Sequence, residues 1–238
     1  MKAQPIKTRH WLLFTFTLLL AGFSLAFLYS RSWKNSFFTD PLYQLSQNEK
    51  IVALTFDDGP NPSRTPPLLD LLEKHDVKAT FFMLGRQIEQ QPELARKVLQ
   101  KGHLIGNHTY DHPYLVFKSP ALVRRQLEKT DSLIQSIGQT EVRYFRPPYS
   151  AKFLVLPWIL EDMDKVLVTG TYDPPAEYQS PYPAELVAEQ VIANVEPGAI
   201  IYLHDGKQAD AEAFVHSVER MIVALREAGY RFVRLDGE

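Results

Sequence analysis

Two adjacent acids, Asp57 and Asp58, end an apolar run that begins at Ile51 and precedes Gly59-Pro60. A short apolar run bounded by turn residues is typical of a buried strand. Two carboxylates at the point where such a strand emerges repel each other, and burying them costs free energy unless a cation compensates. The pair therefore indicates a divalent metal site. An ordinary solvated turn is the alternative, since Asp and Gly are common turn residues.

Two histidines, His108 and His112, follow a second strand pattern and lie four residues apart. In a helical turn this spacing puts both imidazoles on one face. Two His and one Asp form a catalytic metal set that leaves coordination positions for water and substrate. Two surface histidines in a polar loop are the alternative, and the neighbouring pair of acids favours the metal. Four further histidines are assigned no role because of where they fall: His10, His75, His103 and His216.

Two more polar residues follow predicted strands. Arg146 precedes Pro147-Pro148 in a rigid turn, where it could hold Asp57 ionised, because a nearby cation lowers the pKa of a carboxyl. His204 follows an apolar strand, and a titratable imidazole there suits a general acid. A surface arginine on a proline corner and a satisfied strand-end histidine are the alternatives. Asp173 also follows a strand pattern.

Strand and helix patterns alternate from Lys50 onward, which predicts a parallel sheet covered by helices, either a barrel or a doubly wound sheet. No Gly-x-Gly-x-x-Gly follows the first strand, which disfavours a dinucleotide-binding fold. In a barrel, the carboxyl ends of all strands open on one face, so the polar residues above can converge. The predicted strands are 51–56, 77–83, 103–106, 142–145, 166–169, 199–203 and 230–235. The predicted helices begin near residues 65, 92, 119, 157, 184 and 211.

Composition narrows the functional classes. The 238 residues suffice for one sizeable domain, and the net charge of −2, with no block of basic residues, gives no electrostatic case for nucleic acid. The absence of cysteine excludes disulfides, thiolate metal ligands and a cysteine nucleophile.

An uncharged segment rich in Leu and Phe runs from Trp11 to Tyr29, with basic residues before it. At ~1.5 Å per residue it approaches the ~30 Å thickness of the hydrocarbon core. We expect a cytoplasmic tail at 1–10, an uncleaved transmembrane anchor at 11–29, a linker at 30–49 and an extracytoplasmic domain at 50–238. Secretion after cleavage at the weak small-residue site Ser24-Leu25-Ala26 is the alternative.

Four motifs in this order together resemble the polysaccharide deacetylases with a NodB-homology domain, family 4 of the carbohydrate esterases. They are Thr55-Phe56-Asp57-Asp58-Gly59, His108-Thr109-x-x-His112, Arg146-Pro147-Pro148-Tyr149 and Leu203-His204-Asp205. The resemblance extends from about Lys50 to Leu235. It implies a distorted (β/α) barrel with fewer than eight strands.

The resemblance also implies a role for each matching residue. Asp58, His108 and His112 would bind one divalent metal, commonly zinc, with Co²⁺ or Mn²⁺ as alternatives. Asp57 would be the base that activates water, and Arg146 would tether it. The backbone N–H of Tyr149 would help to hold the oxyanion, His204 would protonate the leaving amine, and Leu203 would line the pocket for the acetyl methyl.

One stretch departs from the family pattern. The family has Asp-x-x-Asp-Trp where this chain has Asp173 to Tyr178, so that Ala176 stands at the second acid and Glu177-Tyr178 replaces it with a one-residue shift. Ser150 also replaces a glycine. The expected function is metal-dependent removal of N-acetyl groups from chitin-like or peptidoglycan N-acetylglucosamine at a membrane. A carbohydrate-binding module with a decayed site and an O-acetyl esterase are the alternatives.

Overall fold

The computed structural model describes residues 6–206 and 210–237. In these two ranges the helices are α1 Ile6–Arg31, α2 Thr65–Lys74, α3 Gly85–Gln90, α4 Pro92–Gln100, α5 Pro120–Ser136, α6 Val155–Asp162, α7 Ala184–Asn194 and α8 Ala211–Glu227. The strands are β1 Ile51–Asp57, β2 Thr80–Met83, β3 Leu104–Asn107, β4 Tyr144–Phe145, β5 Val166–Leu167, β6 Ala199–His204 and β7 Arg231–Phe232. Residues 1–5 of the predicted tail lie outside the described residues.

The seven strands form one parallel sheet in the order β5-β4-β3-β2-β1-β6, and β7 pairs with the start of β1. The sheet curls into a partial barrel with helices outside it, which confirms the expected fold class. β1 lies between β2 and β6, and its mostly apolar residues suit a strand covered on both faces. All of its residues after Ile51 are buried.

The main hydrophobic core lies between the sheet and the helices outside it. Phe56 of β1, Phe81 of β2 and Phe214 of α8 are fully buried there. Proline occupies the first turn of α2, α4 and α5. The N–H that proline lacks would have no partner within the helix at this position, so nothing is lost. Ser119 caps α5 as its side chain accepts from Leu122 N.

The segment at 30–49, expected to be a linker, packs against the barrel. Leu42 exchanges backbone hydrogen bonds with the end of β5, donating to Leu167 O at 2.8 Å and accepting from Thr169 N at 3.1 Å. Leu45 N donates to Gly198 O at 2.7 Å, just before β6. Gly198 has φ +79°, and a Cβ there would lie 2.6 Å from Leu45 O, so this approach requires glycine. The segment therefore bridges the gap between β5 and β6.

Three local expectations are wrong. His108 and His112 are not on a helix, because the chain between β3 and α5 is an irregular loop with positive φ at Thr109 and His112. The short helix α3 was not expected, since its six residues Gly85–Gln90 are too polar to show helical periodicity. The strands predicted at 142–145, 166–169 and 230–235 have only two residues each in the ladder.

Helix α1 contains the predicted apolar segment, and an 18-residue window between His10 and Arg31 has a mean hydropathy of 2.1. It is long and apolar enough to cross a membrane, although a signal sequence would have the same properties.

Candidate active site

The two adjacent acids point in different directions. Asp57 is the last residue of β1 and is buried, whereas Asp58 has φ +72° and turns away from the strand. Gly206 permits this turn, because a Cβ there would lie 2.3 Å from Asp58 atoms. The left-handed backbone at Asp58 separates the two carboxylates, so that each contacts different neighbours.

The Asp57 carboxylate lies against the guanidinium of Arg146. Nη1 of Arg146 donates to Asp57 Oδ1 at 2.8 Å and to Thr55 Oγ1 at 2.7 Å. The guanidinium carbon lies 4.2 Å from the ring centre of Phe82 and 3.7 Å from that of Tyr202. Since Arg146 is fully buried, the aromatic faces and Asp57 balance its charge in place of water.

Asp58 faces the two histidines instead. Its Oδ1 lies 3.5 Å from His108 Nε2 and 3.4 Å from His112 Nε2. The ligand atoms of these three residues all lie within 4.8 Å of one another. The β3–α5 loop brings the histidines together, so their proximity comes from its left-handed residues and not from helical spacing.

The donor set fits a divalent metal. Two ligands held at ~2.1 Å in a tetrahedral arrangement are about 3.4 Å apart, which matches the Asp58–histidine distances. His108 Nδ1 lies 2.7 Å from the carbonyl oxygen of Arg146. A carbonyl can only accept, so Nδ1 carries the proton and Nε2 presents its lone pair to the site. Burial lowers the pKa of His112, with His108 adding to the shift, which keeps this imidazole neutral as a ligand must be.

His204 is held by Glu177, a residue within the stretch that departs from the family pattern. Glu177 Oε2 lies 2.8 Å from His204 Nδ1, and Glu177 Oε1 accepts from the backbone N–H of His204 at 2.7 Å. Arg64 Nη1 donates to the carbonyl oxygen of His204 at 2.8 Å. The Nε2 atom of His204 is thereby directed into the cleft. Glu177 thus stands where the second acid is expected, displaced by one residue in the sequence. Arg64, which the sequence motifs did not indicate, holds the backbone carbonyl of His204.

Asp173 and Tyr178 bond to each other, with Tyr178 Oη donating to Asp173 Oδ2 at 2.8 Å. The Tyr178 ring lies edge-on to His204 at 5.5 Å. Burial and the negative charge of Asp173 raise the pKa of Tyr178, so its hydroxyl stays protonated.

Tyr149 has a left-handed backbone, with φ +59°, between Pro148 and Ser150. Its ring is 60% exposed and lies 4.7 Å from the His112 ring at the cleft rim. Within residues 6–206 and 210–237, its backbone N–H donates no hydrogen bond. That N–H is therefore available to a bound ligand.

Leu203 is placed differently from the other site residues. It is fully buried in the main core, because strand residues alternate in direction and His204 and Tyr202 take the cleft side of β6. Tyr202 instead lines the cleft, next to Arg146. The role expected for Leu203 in binding the acetyl methyl stays a prediction, and its position does not favour it.

The cleft itself has a volume of about 510 Å³ and contains both acids, both loop histidines and His204. Arg31, the last residue of α1, and Trp33, from the segment after it, form part of its wall. The Trp33 ring lies 5.7 Å from that of Tyr202, and Thr169 Oγ1 donates to the Trp33 carbonyl at 2.7 Å. No sequence signal pointed to these residues, since they precede the first strand.

Asp205 lies beneath the loop that carries Asp58. It is fully buried and accepts a short hydrogen bond from Thr65 Oγ1. Burial raises the pKa of Asp205 to about 7. A Cβ on Gly59 would lie 2.5 Å from its carboxylate, so glycine at this point lets the loop rest on Asp205.

With this geometry in place, comparison with known proteins defines the class of protein. The family model for polysaccharide deacetylases matches residues 44–164, and the chain belongs to this family.

A peptidoglycan-N-acetylglucosamine deacetylase of Bacillus cereus is 32% identical over 200 residues, covering 79% of this chain and 68% of the relative. A chitooligosaccharide deacetylase of Azorhizobium caulinodans is 36% identical over 171 residues, covering 71% and 80% respectively. A crystal structure of a peptidoglycan N-acetylglucosamine deacetylase superposes with a TM-score of 0.77 at 32% identity, covering 81% of this chain and 89% of that one.

Proposed function

We propose that this chain is a membrane-anchored, metal-dependent deacetylase that removes N-acetyl groups from N-acetylglucosamine units of an extracytoplasmic polysaccharide. The observation that carries the proposal is the meeting of three assemblies in one cleft. These are the donor set of Asp58, His108 and His112, the Asp57–Arg146 pair, and the His204–Glu177 pair. The relatives named for peptidoglycan and chitooligosaccharides support the substrate class.

The metal would be held by Asp58, His108 and His112, with zinc as the first candidate and Co²⁺ or Mn²⁺ as alternatives. When bound, it would polarise the amide carbonyl and lower the pKa of water toward ~7. Residues of the chain do the remaining work.

Asp57 is the proposed general base. Its bond to Arg146 fixes its orientation, so that one carboxylate oxygen faces the cleft and can take a proton from the attacking water. Because both side chains are buried, water has little access to the hydrogen bond between them.

The backbone N–H of Tyr149 is the proposed donor to the oxyanion that develops on the carbonyl oxygen. A fixed donor aimed at developing charge stabilises the transition state without reorganisation. His204 is the proposed general acid. The amine leaves poorly unless it is protonated, and Glu177 favours the protonated imidazole that can give up this proton.

Two other functions are open to the same cleft. Hydrolysis of an O-acetyl ester needs the same water activation but not a proton for an amine. Binding without turnover was suggested by the departure at Asp173 to Tyr178. The contact of Glu177 with His204 supports catalysis over binding alone.

Acetate release by the purified full-length chain in detergent tests the proposal. We expect release from N-acetylglucosamine oligomers or peptidoglycan, and a much lower rate with acetylated xylan, an ester substrate. Preference for the ester would replace the proposal with an esterase. Binding of oligomers and metal without any release of acetate would replace it with a binding module.

A further inference from the structure

Helix α1 is fixed to the domain near its C-terminal end. The Phe23 ring lies 6.2 Å from that of Phe117 and 5.7 Å from that of Phe153, and Phe27 contacts the same two rings at 6.4 and 5.7 Å. Beyond the helix, the buried Lys152 donates to the carbonyl oxygen of Ser32 at 2.8 Å. The last two turns of α1 and the residues after them therefore move with the domain.

The part of α1 that precedes these contacts is too short to span a membrane alone. It runs from Ile6 to Gly22, which at ~1.5 Å per residue is about 26 Å, and its stretch without charged residues begins only at His10 and is about 20 Å long, against ~30 Å for the hydrocarbon core. A span with the observed docking must include Phe23 and Phe27. The domain surface that touches these two residues must then lie at the depth of the lipid.

The domain surface at this level is apolar and exposed. Phe117 is 67% exposed and Leu154 is 42% exposed, and both border an apolar hollow between the loops at 115–117 and 153–156. Phe117 also has φ +63°, a left-handed conformation that is unfavourable for a bulky residue. Trp158 lies one helical turn beyond Leu154 and is 48% exposed. The Phe117 ring stays largely exposed although it stacks beside Phe23 and Phe27.

We propose that the surface formed by Phe117, Leu154 and Trp158, here called the apolar rim, enters the outer leaflet of the lipid bilayer beside α1. The proposal rests on the anchored form of the proposed function. Its occupant is the bilayer because the rim is continuous with the exposed apolar side of α1 through Phe23. Aromatic residues are also the side chains that settle at membrane interfaces.

Contact of the rim with the bilayer would fix the position of the cleft relative to the membrane surface. Arg31 and Trp33 line the cleft and lie only four and six residues beyond Phe27. The cleft therefore opens next to the membrane surface, where it meets polymer close to the membrane.

The natural lack of cysteine permits a direct test. Four single variants of the full chain would carry a nitroxide in phosphatidylcholine–phosphatidylglycerol vesicles: Phe117→Cys and Leu154→Cys in the rim, Phe16→Cys within α1, and Val223→Cys on α8. Phe16 and Val223 are 64% and 43% exposed, so their labels should be tolerated. Circular dichroism melting confirms that each variant folds. The measurement compares collisions of each label with oxygen, which enters lipid, and with a water-soluble nickel chelate.

We expect labels at 117 and 154 to resemble the label at 16, favouring oxygen by several fold, and the label at 223 to favour nickel. If the label at 16 is in lipid while 117 and 154 match 223, the rim proposal is overturned and the anchor stands. If the label at 16 also lies in water, α1 is not a membrane span and both fail. Dipolar broadening at 117 with exclusion of both reagents would indicate a second copy of the chain on the rim and would also overturn the proposal.

Discussion

The carboxylate of Glu177 holds His204 at two points, with one oxygen 2.8 Å from the ring Nδ1 and the other accepting from the backbone N–H at 2.7 Å. The side-chain contact fixes the tautomer and the backbone contact fixes the strand end. The acid that the family pattern places elsewhere is thus present in space although it is displaced in sequence.

Replacement of Glu177 by Gln should lower kcat for acetate release by at least ~10-fold, because the imidazolium loses its counter-charge and a general acid contributes ~10²–10⁴. Metal content should be unchanged, since Glu177 is not in the donor set. Asp173→Asn is the matched control and should cost much less, because Asp173 bonds Tyr178. Equal losses in the two variants would mean that Glu177 has no special relation to His204.

Much of the arrangement could be predicted from the sequence, since the strands carry their own apolar pattern and the polar residues follow them directly. The positions of Asp57, Asp58 and Arg146 after strands follow from this pattern, whereas the roles given to them rest on the family resemblance and stay predictions. The loop that joins His108 to His112 could not be, because its left-handed residues are set by tertiary contacts. Likewise Trp33 reaches the cleft only through packing of a segment without regular pattern, and Arg31 reaches it from the end of an apolar helix whose sequence gives no sign of a role there. The role of Leu203 follows only from the family resemblance, whereas the alternation of β6 directs its side chain into the core.

We expect Trp33, in the wall of the cleft, to contribute to substrate binding. Trp33→Ala should raise KM for N-acetylglucosamine oligomers by roughly tenfold, equivalent to ~1.4 kcal/mol of lost contact, with little change in kcat. The reason is that its ring forms cleft wall beside Tyr202. Phe38→Ala, a 61% exposed ring in the same segment, is the control and should leave KM unchanged. A fall in kcat without a change in KM would contradict a role in binding.

The segment after α1 should contribute to stability. Lys152 donates to the carbonyl oxygen of Ser32, and Thr169 donates to that of Trp33. A chain that begins at Tyr29 keeps both acceptors, whereas a chain that begins at Asn35 loses both. Burial already lowers the pKa of Lys152 to about 8, and a buried donor without its acceptor costs ~1–3 kcal/mol. We expect the shorter chain to melt roughly 5 °C lower or more by circular dichroism. Equal melting temperatures would show that residues 29–34 contribute nothing to the stability of the domain.

His103 should make the fold sensitive to acid. It is buried, its Nδ1 accepts from Ala79 N at 3.2 Å, and burial lowers its pKa from 6.5 to about 4. Between these values the unfolded chain takes up a proton that the folded chain does not, so the free energy of unfolding falls as pH decreases from ~6.5 to ~4. The full contribution is about 3 kcal/mol at most.

His103→Asn should flatten this dependence, because the amide oxygen can accept from Ala79 N but does not titrate. Denaturant unfolding at a series of pH values, followed by near-ultraviolet circular dichroism, measures the slope. The surface variant His216→Asn, at an exposed ion pair with Glu185, is the control. An unchanged slope in His103→Asn would mean that other groups govern acid stability.

The central claim is that two adjacent acids do different work, and paired measurements on Asp57→Asn and Asp58→Asn test it. Asp57→Asn should retain full metal content by elemental analysis and lose ~10²–10⁴ in the rate of acetate release, as expected for removal of a general base. Asp58→Asn should lose metal and activity together, because two histidines alone hold zinc poorly. Loss of metal to the same extent in both variants, or an Asp57→Asn variant that releases acetate at the parent rate, would contradict the account.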